Sequence, residues 1–153
     1  VGSLWVSAFE ILVHPGGNEK ADREKVVDLI EGAPWLSNKC RARNHVVWIN
    51  GERRECTLAS WLCQQLYNRR NDFLHGNPVD DQALRLPNSG RSAFDFAAAL
   101  YRIALTSFLP LVFEEEPPSD DDTAALGEWV ARRMEFQAPQ RNVEEALLKE
   151  ERA

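Results

Sequence analysis

Cysteine is scarce in this chain. Its 153 residues hold three, Cys40, Cys56 and Cys63, with no CxxC pair. The odd count and the lack of a CxxC pair argue against a disulfide framework, and a reducing cytoplasm is the expected compartment. Cys40 with His45 could ligate a metal, but the remaining spacing fits no zinc pattern, and no metal or other cofactor is expected. No apolar run approaches the roughly 20 residues that cross a bilayer, and no secretory leader opens the chain, so no membrane partner is expected. Basic charge is also in deficit: 18 Lys and Arg against 24 Asp and Glu give a net charge of −6. Bulk charge therefore does not announce a nucleic-acid binder, and any RNA or nucleotide contact must rest on a local basic cluster.

What is present reads as helix. Trp5, Phe9, Leu12 and Val13 recur at helical spacing behind Ser3 as N-cap, and His14-Pro15-Gly16-Gly17 stops them. Asn18 is the expected cap of a second helix with Val26, Val27, Leu29 and Ile30 buried. Between Trp35 and Arg54 the pattern is ambiguous: Val46-Val47-Trp48-Ile49 before Asn50-Gly51 suits a strand and turn, or an apolar loop on the bundle. Thr57 caps a central helix reaching His75, with Gly76 at C′ and Pro78 beyond. After a polar loop, Ser92 opens a long helix with Phe94, Ala97, Ala98, Tyr101, Leu105, Phe108 and Val112 on one stripe, kinked near its end by Pro110. Four helices near 3–14, 19–31, 57–75 and 92–113 make the expected class all-α, an up-down bundle around the 57–75 helix. This places one domain over residues 1–116. Residues 117–153 form an acidic linker and a helical extension, with separate helices at 123–136 and 141–152, the last thinly apolar. The chain opens on Val1 rather than Met, which leaves room for an upstream domain as partner.

On a wheel of the central helix, Leu58, Trp61, Leu62, Leu66 and Phe73 share the core arc, and Gln64, Asn68, Asn71 and His75 form a polar strip. Arg70 lies about 140° from His75. A long side chain reaching round, or a second copy of the helix, would be needed to bring the two to one substrate. A histidine at a helix end is a candidate proton carrier, and Arg70 offers a planar fork that fits a phosphate. Asn71 can orient either group. Arginine, amide and histidine suffice to cleave RNA, because its 2′-hydroxyl is a built-in nucleophile. Arg69 falls inside the apolar arc and needs a carboxylate or an exit to water, and Glu10 in the first helix is its expected partner. The plainer readings are a helix-ending His75 satisfied by carbonyls, Arg70 in a surface ion pair, and a solvated polar strip.

The stretch Leu66-Tyr67-Asn68-Arg69-Arg70-Asn71-Asp72-Phe73-Leu74-His75-Gly76-Asn77 resembles the RxxxxH signature of HEPN domains, in which Asn commonly follows the Arg. The His-Gly pair resembles the Apea-like branch in particular. The resemblance covers roughly residues 1–116. It implies a HEPN-type bundle that dimerises with its motifs facing one another, in many such domains a metal-independent endoribonuclease of toxin–antitoxin, antiviral or RNA-processing systems. It assigns catalysis to Arg70, Asn71 and His75; their neighbours on the same helix, Arg69, Asn68 and Gln64, are the expected RNA contacts. An antitoxin is a further expected partner. A non-catalytic module that binds RNA or nucleotide, or assembles a larger protein, is the competing expectation.

Overall fold

Four apolar helix stripes in one short chain can leave water only by covering one another. In the computed structural model, which describes residues 2–14, 16, 22–78 and 80–150, they do so. Helices α1 (Gly2–Val13), α2 (Arg23–Glu31), α4 (Leu58–Leu74) and α5 (Ala97–Phe108) each pack on the other three. Their shared core holds Val6, Phe9, Val26, Ile30, Leu58, Leu62, Leu66, Leu100 and Ile103. A short α3 (Asn38–Arg41) and a hairpin of β1 (His45–Ile49) and β2 (Glu52–Cys56) join α2 to α4.

The hairpin resolves the ambiguous stretch in favour of a strand and turn. Asn50 and Gly51 take φ of 52° and 82°, the left-handed pair that a two-residue hairpin turn requires. Val47, Ile49 and Cys56 form a small second core with Val27, covered by Trp61. The described part of the chain is therefore mostly helical with one two-stranded sheet.

Caps decide where the helices begin and stop, and several differ from the sequence reading. Ser3 lies within α1, which starts at Gly2. Asn18 lies outside the described residues, and α2 begins at Arg23 with Asp22 accepting from the Glu24 N–H at 2.9 Å. Thr57 caps α4 as expected, its hydroxyl accepting from the Ser60 N–H. Ser92 caps a 3-10 turn (Ala93–Phe96) that runs into α5. α5 ends at Phe108 instead of 113, because Pro110 lacks an N–H and disfavours helical backbone at Leu109. Phe108 and Val112, expected on the buried stripe, are consequently exposed.

The C-terminal region is one helix, α6 (Thr123–Leu148), with Pro139 inside it. Proline removes the hydrogen bond that Glu135 would receive. The Arg141 guanidinium turns back to the neighbouring Met134 carbonyl, satisfying backbone beside the gap. The first half of α6 is largely exposed, whereas Val143, Leu147 and Leu148 enter the main core, which thus continues past residue 116. Two buried carboxylates fasten this end. Glu144 accepts from the N–H groups of Leu36 and Ser37, and Glu150 accepts from those of Asn88 and Ser89 and from the Ser89 hydroxyl.

Candidate functional site

The RxxxxH segment occupies the last turns of α4. His75 is the C-cap, its N–H donating to the Asn71 carbonyl at 2.9 Å. Gly76 follows at φ +70°, a conformation that costs other residues about 1–2 kcal/mol. Its N–H reaches the Phe73 carbonyl at 3.2 Å, and that of Asn77 reaches the Asp72 carbonyl at 2.9 Å. These two bonds are the Schellman closure. The helix therefore ends in a defined way, with the His75 ring in solvent.

Every residue from Asn71 to Pro78 is exposed. Phe73, expected in the core arc, is 67% exposed, and Leu74 stands open beside it. Among the described residues, neither core cluster includes a residue of the final turn of α4, so its apolar side chains stay uncovered. Leu58, Leu62 and Leu66 stay in the core, joined there by Cys63 and Tyr67. The Trp and Phe side chains elsewhere divide likewise. Trp35, Phe9 and Phe96 are core, and Trp48 on β1 is open to solvent.

Glu10 does meet an arginine of α4, and the partner is Arg70. Arg70 Nη1 and Glu10 Oε1 are 3.3 Å apart, with the two side chains 23% and 29% exposed. The expected Arg69–Glu10 pair is not formed. Arg69 leaves the apolar arc by a different route: Nη1 donates to the carbonyl and side-chain oxygens of Gln65 at 3.2 and 2.9 Å, and Nη2 to the Arg85 carbonyl at 3.2 Å. Neutral amide and carbonyl oxygens take its two Nη groups in place of a carboxylate. Burial lowers the Arg69 pKa, with Asp72 opposing. Arg69 thus braces the 85–91 loop against α4. Its Nε is buried without an acceptor, as is that of Arg70.

Of the polar strip, Gln64 and Asn68 bond one another at 2.8 Å, and Asn71 and His75 are open to solvent. No hydrogen bond or ion pair among the described residues links Arg70 to His75.

Two neighbours of Arg70 went unnoticed in the sequence. Tyr67, one turn before it, is buried with its hydroxyl unpartnered. Burial first, then Cys63 and Glu10, raise its pKa, against the pull of Arg70 and Arg23. Arg23, at the start of α2, lies over the Tyr67 ring at 5.5 Å and donates to the Trp48 carbonyl at 2.9 Å. A tyrosine in register with the core residues gave no separate signal, and Arg23 is placed only by the approach of α2 to α4. Together Glu10, Arg23, Tyr67 and Arg70 form a half-buried polar seam beside the exposed helix end.

No family model, curated protein or solved structure matches the chain.

Proposed function

We propose that the chain is a HEPN-like, metal-independent endoribonuclease whose site is completed across a two-fold homodimer. The supporting observation is the exposed, Schellman-closed end of α4. It presents Asn71 and His75 to solvent with Phe73 and Leu74 bare beside them. An apolar patch next to the motif suits a contact between two copies, and that contact would face the two His75 rings across one cleft. One His75 would take the proton of the 2′-hydroxyl as its oxygen attacks phosphorus, and the other would protonate the departing 5′-oxygen. Arg70, held by Glu10 through one nitrogen, would turn its remaining donors to the charge that builds on the phosphoryl oxygens. The products would be a 2′,3′-cyclic phosphate and a 5′-hydroxyl.

The second reading keeps the fold and drops turnover: a module that binds RNA or nucleotide, or assembles a larger protein. The Glu10 carboxylate on Arg70 and the net charge of −6 favour it. Incubation with mixed RNAs in excess EDTA, with a DNA of the same sequence as control, separates the two. The nuclease should cut the RNA alone. His75→Ala should lose on the order of 10²–10⁴ in rate, and Arg70→Ala about 10²–10³ with the fold intact. Lysine at position 70 should restore part of the rate, because it keeps the charge and loses the fork. Full cleavage by both alanine variants would rule out the assignment. Arg70-dependent binding without cleavage establishes the second reading.

A further inference from the structure

Twelve large apolar residues are exposed among the described residues, and seven of them fall on the end of α5, the strap after it and α6: Phe108, Leu109, Leu111, Val112, Val130, Met134 and Phe136. There the first half of α6 and the strap from 109 to 117 stand off the end of α5. The strap is fixed in place: Glu115 pairs with Arg132 at 2.8 Å, its carbonyl accepts from Trp129 Nε1 at 3.0 Å, and Phe113 packs on the rings of Trp129 and Phe136. Between strap, α6 and α5 lies an open apolar cleft of about 1160 Å³, with Leu105, Leu109, Val112, Phe136 and Val143 in its walls. That volume exceeds the roughly 300–1000 Å³ typical of small-molecule sites and suits a stretch of helix.

A helix of matching chemistry is on the same molecule. Leu126, Val130 and Met134 recur at i, i+4 and i+8 along α6, one apolar stripe about 12 Å long. Val130 and Met134 are 41% and 53% exposed. The stripe is headed by Asp120, Asp121 and Asp122, none of them in an ion pair among the described residues. Two arginines stand among the lining residues of the cleft, beside two glutamates. Arg102 lines it without a carboxylate partner among the described residues, and Arg133 lines it stacked on Trp129. Glu135 is the unpaired acid among the lining residues, and Glu115 is already neutralised by Arg132.

We propose that the occupant is a second copy of this chain: each copy lays the Leu126–Val130–Met134 stripe into the other's cleft, with the acidic head of the stripe against Arg102. The exchange is isologous, so two copies satisfy both clefts and the contact closes. It is separate from the pairing of α4 ends under Proposed function and stands or falls independently of it.

Light scattering on the full chain at tens of micromolar tests the contact. Val130→Asp with Met134→Asp should halve the mass while circular dichroism stays unchanged, since both positions face solvent within one copy. Arg102→Glu should weaken association by tenfold or more. Adding Asp120→Lys and Asp121→Lys to that variant should restore it, a rescue that a merely structural role for Arg102 would not produce. Phe73→Asp, at the α4 end, should leave this association intact. A monomeric wild type overturns the proposal, and so does an oligomer whose mass ignores the Val130 and Met134 substitutions.

Discussion

Glu31 shows how much one carboxylate can carry. Its side chain is 5% exposed. Oε1 accepts from the Thr57 N–H at 2.9 Å, the Thr57 hydroxyl at 2.8 Å and the Ser60 hydroxyl at 2.6 Å. Oε2 pairs with Arg43 at 3.0 Å. The end of α2 thereby holds the start of α4, the helix that bears the motif. Removing the acceptor strands buried donors, each costly in the absence of water. Glu31→Ala should therefore lose about 3–5 kcal/mol of stability in urea denaturation, with the slope unchanged. Glu31→Gln, which keeps one oxygen in place, should lose clearly less. Sequence offered no hint of this node, because its partners lie 26 and 29 residues away. Arg70 is the converse case: legible as a candidate site residue from its spacing to His75, while its pairing with Glu10 depends on how α1 crosses α4.

For an element, the end of α4 is the informative case. The chain stops the helix with a left-handed Gly76 at φ +70°, and nothing lies within 4 Å of where a Cβ would sit there. The obstacle to a side chain is therefore backbone strain alone. Gly76→Ala should cost about 1–2 kcal/mol, read in urea denaturation. Amide exchange should quicken at Gly76 and Asn77, whose N–H groups close the motif. Gly76→Asn should cost less, since asparagine tolerates this conformation better. An alanine variant with wild-type stability and exchange would show that the closure does not hold the motif turn. The Thr57 cap and the Gly76 stop were both legible, because each is chemistry within a few residues of chain. The end of α5 was read five residues too far, since the apolar stripe continues past Pro110 while the backbone does not.

At the scale of the molecule, the question is whether α6 is an appendage or part of the fold. Leu147 is completely buried, in the same core as Leu66 and Leu100. If that core is continuous, Leu147→Ala should cost about 2–5 kcal/mol, comparable with Leu66→Ala. It should also shift one cooperative unfolding transition rather than add a second. Coincident fluorescence and circular-dichroism melts would check this, and a bundle that unfolds at its wild-type midpoint in the Leu147 variant would contradict it. The last stretch looked thinly apolar because its anchors include Glu144 and Glu150, carboxylates whose burial makes sense only once the backbone donors of 36–37 and 88–89 are beside them.

The sequence by itself determined the helical class, four helices of the bundle, the cap and stop of the motif helix, and the residues that qualify it as a candidate site. Each follows from periodicity or from hydrogen bonding within a turn or two of chain. Only the tertiary structure decided that Glu10 holds Arg70 and that neutral oxygens take the Nη groups of Arg69. It alone decided that Phe73 is bare, that α6 runs unbroken through Pro139 into the core, and that an apolar cleft opens beside it. Those outcomes depend on which helix ends the core leaves uncovered and which distant backbone groups need an acceptor, and no local pattern encodes either.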